Sequence, residues 1–197
     1  MSIELKIIVL GTAGVGKTCL INQYCNGTYH ESTLNTIGAG FHPKTIILED
    51  KEINIMLWDT AGEERFKSVA PSLIKGANGL ILVYEVTSCK SLTELEDYLK
   101  MFLDYADVSA SSTNSVLLLG NKCDLPHWEV SENTLKQWLD EHQIENSEIV
   151  SAKTGMGVES AFTKFLTSFA SEPPPKIDMR PLKLRIDSPP SQPKKCC

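Results

Sequence analysis

Residues 11–18 read Gly11-Thr12-Ala13-Gly14-Val15-Gly16-Lys17-Thr18 and fit the pattern G-x-x-x-x-G-K-[ST]. An apolar run at residues 5–10 precedes them and predicts a strand, while Leu20-Ile21 follows and begins an apolar helix. Glycines let a backbone wrap phosphate oxygens with its N–H groups pointing inward, and a helix N-terminus adds the positive end of its dipole. The stretch therefore predicts a phosphate-binding loop between a strand and a helix.

Two side chains of this loop carry chemistry. Lys17 is expected to contact β- and γ-phosphates, and the hydroxyl of Thr18 is expected to ligate Mg²⁺. The alternative is a plain strand-to-helix turn with glycine at its tight positions. That alternative is weak, because the whole pattern arises by chance in roughly one chain in a hundred of this length.

Short apolar runs alternate with amphipathic segments from the phosphate loop outward. Runs rich in Ile, Leu and Val predict buried strands, whereas apolar residues repeating every three and four positions predict helices. This alternation predicts an α/β fold with a largely parallel sheet and helices on both faces. One exception is an antiparallel hairpin predicted for residues 45–48 and 53–56, joined by a charged turn at 49–52. The other strand-like runs are residues 80–86 and 116–119, and the helical repeats are residues 92–103 and 158–169.

Composition limits the classes of protein that this chain can be. Its 197 residues and net charge of −6 argue against a protein that binds nucleic acid through its overall field. The six cysteines are too few and too scattered for a secreted disulfide scaffold, which favours a reducing compartment. No run approaches the ~18 apolar residues that span a bilayer.

A second motif predicts which base the site reads. Asn121-Lys122-Cys123-Asp124 follows the run at 116–119, where the carboxyl edge of a parallel sheet holds ligands. The carboxylate of Asp124 can accept hydrogen bonds from N1–H and the 2-amino group of guanine, a pair that adenine does not offer. Further along, Ser151-Ala152-Lys153 places a backbone N–H at Ala152 that could meet guanine O6. Each motif alone is also compatible with an ordinary polar loop.

Two further segments are expected to reach the γ-phosphate and its metal. Asp59 ends an apolar strand, so its carboxylate is expected to hold Mg²⁺ through water, while the N–H of Gly62 is expected to bond the γ-phosphate. Thr36 lies in a polar stretch without periodicity and offers a second hydroxyl to the metal. An aspartate in a turn after a strand is common, so neither residue is decisive alone.

Taken in order and spacing, these motifs resemble Ras-superfamily small GTPases over roughly residues 4–170. The segments Thr36-Ile37-Gly38 and 58–66 and the terminal Cys196-Cys197 resemble the Rab branch. Three further segments are similar to early-endosomal Rabs: Tyr29-His30-Glu31, Ala70-Pro71 and Gly76-Ala77.

The resemblance implies a P-loop small GTPase fold with a mostly parallel six-stranded sheet and one antiparallel edge strand. It implies GTP or GDP with Mg²⁺ as the bound group, and it implies that Tyr29 and Lys122 cover the two faces of guanine. The metal residues are Thr18, Thr36 and, through water, Asp59; the catalytic residues are Lys17, Thr36 and Glu63. The nucleotide residues are Ala13, Gly14, Val15, Gly16, Lys17, Thr18, Cys19, Tyr29, Thr36, Gly62, Asn121, Lys122, Asp124, Ser151, Ala152 and Lys153.

The resemblance also implies two switch segments, at residues 30–41 and 60–77, that γ-phosphate orders and hydrolysis releases. Phe41 and Trp58 match two aromatics that Rab effectors contact, although core-facing positions on the hairpin are an equal alternative. The third such aromatic falls at Leu73, which implies a different choice of effector.

Glu63 is the most serious departure from the family pattern, which has glutamine there. Glutamine both accepts and donates a hydrogen bond, whereas a carboxylate only accepts and adds negative charge near the γ-phosphate. We therefore expect slow intrinsic hydrolysis, at a rate that differs from the rate with glutamine at this position. The side chain alone does not fix whether glutamate makes hydrolysis faster or slower than glutamine would. A GTPase-activating protein that brings an arginine finger would still permit switching.

Residues 173–197 are expected to form a flexible tail beside a GTP-binding domain of residues 1–172. The tail is rich in proline and carries six basic and two acidic side chains, a net charge of +4, which suits an anionic leaflet. Cys196 and Cys197 resemble the Rab terminus that receives two geranylgeranyl groups; a vicinal disulfide or an incidental pair of cysteines is the alternative. The expected location is the cytoplasmic face of vesicle or endosomal membranes, in exchange with cytosol.

The resemblance implies protein partners of five kinds: an exchange factor, a GTPase-activating protein, effectors, a GDP-dissociation inhibitor and a Rab escort protein. Two alternatives to a hydrolysing vesicle-trafficking switch remain at this point. One is a pseudo-GTPase that binds guanine nucleotide with negligible turnover, motivated by Glu63. The other is a P-loop kinase, which would leave Asp124 and the terminal cysteines unexplained.

Overall fold

The fold is known from a computed structural model that describes residues 2–31, 36, 38–60, 70–106 and 115–171. The strands are β1 (Ser2–Leu10), β2 (Ala39–Leu48), β3 (Lys51–Thr60), β4 (Gly79–Glu85), β5 (Val116–Asn121) and β6 (Asn146–Ile149). The helices are α1 (Lys17–Asn26), α2 (Ala70–Ile74), α3 (Cys89–Thr93), α4 (Leu95–Tyr105), α5 (Glu132–His142) and α6 (Val158–Ser171).

The strands form one six-stranded sheet in the order β2-β3-β1-β4-β5-β6. Every neighbouring pair is parallel except β2 and β3, so the prediction of a mostly parallel sheet with one antiparallel edge strand is confirmed. Because β1, β3, β4 and β5 run in the same direction, the loops that follow them emerge at one edge. Ligands in open α/β sheets bind at such an edge.

Helices cover both faces of the sheet, as predicted. Successive side chains of β1 alternate between the two cores, because neighbouring residues of a strand point to opposite faces. Ile7 and Val9 join the core under α1 and α6, which includes Phe162, while Ile8 joins the other core, which includes Phe102 of α4. Each of these five side chains is at most 1% exposed, so the sheet is sealed on both sides beneath the site.

The hairpin between β2 and β3 is longer than predicted and its turn is shorter. The strands pair from Ala39 with Thr60 to Leu48 with Lys51, which leaves only Glu49 and Asp50 in the turn. Both turn residues have positive φ, 49° and 60°, as a two-residue turn between twisted strands requires. Residues predicted to belong to the turn therefore extend the ladder.

Other differences concern the helices. The single helix predicted over residues 92–103 is two helices, α3 and α4, that meet at Glu94. Helix α5 was not predicted; Trp138 is its one fully buried residue, and Leu135 and Leu139 are partly buried against the core that contains Ile8. Within the described residues, no helix is both long enough and apolar enough to cross a membrane.

Candidate functional site

The loop between β1 and α1 requires glycine at two positions. A Cβ on Gly11 would lie 2.3 Å from the carbonyl oxygen of Val83, and one on Gly16 would lie 2.4 Å from Nδ2 of Asn121. Gly16 also has φ of 96°, a left-handed conformation that costs other residues about 1–2 kcal/mol. Close packing against β4 and β5 therefore fixes the shape of this loop, which leads directly into the N-terminus of α1.

Lys17 is held inside the same loop. Its Nζ donates to the carbonyl oxygens of Gly11 at 2.9 Å and Thr12 at 2.8 Å, and the residue is 5% exposed. Burial lowers the pKa of Lys17 to about 8, against the opposing effect of the Asp59 carboxylate. A buried ammonium surrounded by main-chain dipoles is a site for an anion that would compensate its charge.

Three oxygen-bearing side chains meet beside Lys17. Thr18 Oγ1 donates to Asp59 Oδ2 at 2.6 Å and lies 2.8 Å from Thr36 Oγ1. Asp59 is 2% exposed, and its Oδ1 is buried without a hydrogen-bond partner among the described residues. Burial raises the pKa of the Asp59 carboxyl, although the bond from Thr18 acts in the opposite direction.

This donor set fits Mg²⁺. Mg²⁺ in proteins uses hard oxygen ligands, usually one or two carboxylates with water and substrate phosphates. The described residues contain no group of three or more His, Cys, Asp or Glu side chains that could hold a metal. The convergence of Thr18, Thr36 and the unpartnered Asp59 oxygen is thus the place where the residues fit this ion.

Asn121 joins the phosphate loop to the other end of the site. Its Nδ2 donates to the carbonyl oxygen of Val15 at 2.8 Å, and its Oδ1 accepts from the N–H of Ala152 at 3.0 Å. The N–H of Ala152, which the sequence predicted to meet guanine O6, is therefore already engaged by Asn121. One buried amide fixes three loops relative to one another.

Asp124 and Lys122 are each held by a further residue. Ser151 is fully buried, and its Oγ donates to Asp124 Oδ1 at 2.6 Å. Lys122 forms an ion pair with Glu85, the last residue of β4. Asp124 itself is exposed, whereas the Ser151 that donates to its carboxylate is buried.

These loops surround a cavity of about 380 Å³, within the usual size of a small-molecule site. Of the predicted nucleotide residues, Val15 and Ser151 support the cavity without lining it, and Val15 packs in the core. Gly62, Glu63, Cys196 and Cys197 lie outside the described residues. The predicted residues that line the cavity are Ala13, Gly14, Gly16, Lys17, Thr18, Cys19, Tyr29, Thr36, Asn121, Lys122, Asp124, Ala152 and Lys153.

Sequence reasoning missed several residues of the site. Glu31, Thr60 and Leu125 also line the cavity, and each lies within a few residues of a predicted member. Glu85 was missed as well. It is the one charged residue of β4 and stands at the carboxyl end of that strand, which is a sequence feature that could have identified it.

The two hairpin aromatics differ in burial. Phe41 is 50% exposed, whereas Trp58 is partly buried and packs against the core that contains Ile8. Their rings meet edge to face with centroids 5.4 Å apart. Of the two alternatives raised by the sequence, Phe41 is solvent-facing and Trp58 divides its ring between the core and Phe41.

The comparisons with known proteins agree with this geometry. The family model described as "Ras family" matches residues 6–171. The chain is 39% identical to Ras-related protein Rab-13 of Mesocricetus auratus over 161 residues, which are 80% of this chain and 75% of that protein. It is also 38% identical to Ras-related protein Rab-1C of Dictyostelium discoideum over 173 residues, 87% of this chain and 84% of that one. The chain belongs to the Rab branch of the Ras family.

A plant relative extends the match further along the Rab chain. Ras-related protein RABD2c of Arabidopsis thaliana is 37% identical over 185 residues, 89% of each protein. Ras and Rab proteins are small GTPases that bind guanine nucleotide with Mg²⁺ and act with regulators and effectors. Membership therefore makes this chain a GTP-binding protein of the switch class. Its P-loop fold, predicted from the resemblance, is confirmed.

Proposed function

We propose that this Rab protein is a Mg²⁺-dependent GTP hydrolase that acts as a membrane-anchored switch in vesicle trafficking. The observation that carries the proposal is the single cavity in which Lys17, Thr18, Thr36 and Asp124 meet. Groups suited to phosphate, metal and guanine line this one cavity. Their presence in one cavity supports binding of the whole nucleotide and not only of its phosphates.

At the phosphate end, the loop N–H groups and Lys17 would bind the β- and γ-phosphates. The ammonium would exchange the carbonyls of Gly11 and Thr12 for charged oxygens, which offset its burial. Thr18 and Thr36 would ligate Mg²⁺ directly, and Asp59 would hold it through water. The bound ion would neutralise charge that develops on the transferring phosphoryl.

At the base end, Asp124 would accept from N1–H and the 2-amino group of guanine. The hydrogen bond from Ser151 to Oδ1 of Asp124 orients the carboxylate and leaves Oδ2 of Asp124 available to the base. Tyr29 and Lys122 would cover the two faces of the ring, while Lys153 and Ala152 would close the loop around it. Discrimination against adenine follows, because adenine has neither an N1–H nor a 2-amino group to donate to this carboxylate.

Bound-nucleotide analysis of the purified protein tests this proposal. We expect GDP or GTP to copurify, Mg²⁺ chelation to release it, and added GTP to convert to GDP and phosphate over time. Asp124→Ala should abolish the preference for GTP over ATP while leaving the phosphate loop unchanged. Stable GTP without conversion would contradict hydrolysis, and a preference for ATP would contradict the assignment of the base.

Glu63 is proposed to alter the rate of the hydrolytic step. A carboxylate accepts a hydrogen bond from the attacking water more strongly than an amide, yet it repels charge developing on the phosphoryl group. Single-turnover hydrolysis by the native protein and by Glu63→Gln should therefore differ. Equal rates would show that this side chain does not take part.

Membrane attachment is proposed to occur through Cys196 and Cys197, the last two residues of a basic tail (residues 173–197) that follows a domain of residues 1–172. Two prenyl chains give stable anchoring where one gives only reversible binding. An escort protein and a GDP-dissociation inhibitor would handle the lipidated chain, and an exchange factor and a GTPase-activating protein would set its state. The double change of Cys196→Ser and Cys197→Ser should move the protein from vesicle or endosomal membranes to cytosol; unchanged fractionation would refute the anchor.

A further inference from the structure

Glu85 occupies an unusual place for a charged residue. It ends the strand β4, whose other residues are uncharged, and it lies opposite Asn121 in the parallel ladder with β5. Its side chain is 25% exposed and pairs with the ammonium of Lys122, which is 32% exposed. A charge in so apolar a strand is costly to bury unless it is paired, so the pairing with Lys122 explains how it is tolerated there.

The main chain of Glu85 is anchored independently of its carboxylate. Its N–H donates to Ser91 Oγ at 3.1 Å, and its carbonyl oxygen accepts from the N–H of Ser88 at 3.1 Å. Both bonds use backbone atoms of Glu85. Shortening its side chain therefore removes the ion pair while the end of β4 keeps its hydrogen bonds.

Lys122 is the residue on which this pair acts. It lines the cavity, and its backbone has φ of 67°, held in part by the bond from the N–H of Leu125 to its carbonyl oxygen at 3.0 Å. A free lysine side chain carries about 2 kcal/mol of rotamer entropy, which is lost when a ligand orders it. The pair with Glu85 fixes the far end of this side chain before any ligand arrives.

We propose that Glu85 is a positioning residue for guanine nucleotide, acting through Lys122. Its carboxylate holds the ammonium at the end of β4, so that the methylene stem of Lys122 lies along the wall of the cavity. The stem is then ready to cover the base, and the nucleotide leaves more slowly. This inference rests on the proposed function of the cavity as a guanine nucleotide site.

Glu129 supplies a matched control. Its Oε2 accepts from the N–H of Cys89 at 3.1 Å, and its own N–H donates to the carbonyl oxygen of Val86 at 3.0 Å. Its carboxylate thus ties together the same two segments, after β4 and after β5. Neither Glu129 nor Cys89 is among the residues that line the cavity. A general stiffening of these segments would involve Glu129 as much as Glu85.

The test measures release of a fluorescent GDP derivative from the full-length protein into excess GDP. Glu85→Ala should release it about tenfold faster, equivalent to about 1.4 kcal/mol, with Glu85→Gln intermediate because its amide oxygen still accepts from Lys122. Glu129→Ala should stay within about twofold of the native rate. An unchanged rate for Glu85→Ala, or equal acceleration by Glu129→Ala, would overturn the proposal.

A double-mutant cycle separates positioning from a merely structural role. In a Lys122→Met background, Glu85→Ala should change GDP release by less than about twofold, because the group through which it acts is gone. If release there is too fast to time, equilibrium titration with the same GDP derivative gives the same comparison. Effects that multiply would overturn the proposal. A native protein that binds no GDP would instead defeat the proposed function.

Discussion

The two ends of the cavity are built on different principles. At the phosphate end, one continuous stretch of eight residues provides main-chain groups and the side chain of Lys17. At the base end, residues from β4, β5 and the loop before α6 are joined by side-chain contacts, such as those of Asn121 and Ser151. The shape of the phosphate end depends on glycines, which have no side chain, whereas the shape of the base end depends on side chains that bond one loop to another.

This difference determines how each region fails. The phosphate end should be sensitive to added atoms, because a Cβ has no room at Gly16. The base end should be sensitive to removed atoms, because each lost side chain leaves a partner loop unattached. Asn121 belongs to both regions, since its amide contacts the phosphate loop and the loop that contains Ala152.

The largest effect is expected where the two regions touch. Gly16→Ala places a methyl group 2.4 Å from Asn121 Nδ2 at a φ of 96°, so it should add strain and displace the amide. We expect a loss of about 3–8 kcal/mol in the free energy of unfolding, the sum of left-handed strain and two broken buried bonds. Urea unfolding at a fixed GDP concentration measures it.

Gly14→Ala is the matched control for that change. Its φ is 81°, but a Cβ there would meet nothing within 4 Å. Strain alone should cost about 1–2 kcal/mol. If the two variants were equally unstable, contact with Asn121 would not be the reason for glycine at position 16.

Removing the shared amide should cost somewhat less. Asn121→Ala leaves the carbonyl oxygen of Val15 and the N–H of Ala152 unpaired in a buried place. We expect a loss of about 2–6 kcal/mol in the free energy of unfolding, at about 1–3 kcal/mol for each unsatisfied group. Asn133→Ala, on the exposed face of α5, should change it by less than about 0.5 kcal/mol. A small effect at Asn121 would mean that the loops hold together without it.

A change confined to the base end should alter specificity more than stability. Ser151→Ala removes the 2.6 Å bond to Asp124, so the carboxylate is no longer oriented, and it also removes the acceptor of the Thr154 N–H. GDP affinity should fall about fivefold, as one hydrogen bond of about 1 kcal/mol predicts. Affinity for inosine diphosphate, which lacks the 2-amino group, should fall less in the same titration. Ser160→Ala is the control, because the hydroxyl of Ser160 donates to the carbonyl oxygen of Gly157 and not to Asp124.

The smallest expected effect is a proton taken up at the phosphate end. The pKa of Lys17 is lowered to about 8 by burial, so at pH 8 about half of the nucleotide-free protein carries a neutral amine. Phosphates beside it favour the ammonium and raise its pKa, so GDP binding should take up about half a proton at pH 8. Calorimetry in two buffers of different ionisation enthalpy measures it, and proton release would contradict the assignment.

The same lowered pKa of Lys17 determines the direction in which the free energy of unfolding changes with pH. Between about pH 8 and 10.5 the unfolded chain binds the Lys17 proton more tightly than the folded, nucleotide-free protein. The contribution of Lys17 to the free energy of unfolding should therefore rise with pH across that window. Urea unfolding after nucleotide removal would show it, and Lys17→Met should remove that part of the dependence.

The amino-acid sequence by itself predicted the fold class and most of the residues that line the site. Gly11 to Thr18 form one contiguous motif, and the short apolar runs matched the buried strands of a parallel sheet. Both predictions depend on local rules, namely the steric freedom of glycine and the spacing of apolar residues. These rules involve only residues that are close together in the sequence. Local rules also explain the turn at Glu49-Asp50, although the sequence placed it within a longer segment.

Only the tertiary structure decided which distant side chains act on one another. Three contacts join residues that are 27 to 106 positions apart in sequence. They are the ion pair of Glu85 with Lys122, the two hydrogen bonds of the Asn121 amide, and the hydrogen bond from Ser151 to Asp124. No spacing rule connects such residues, because their contact arises from parallel strands that end at one edge of the sheet. The sequence thus determined which chemical groups the site contains, and the packing of the sheet determined which of them hold the others in place.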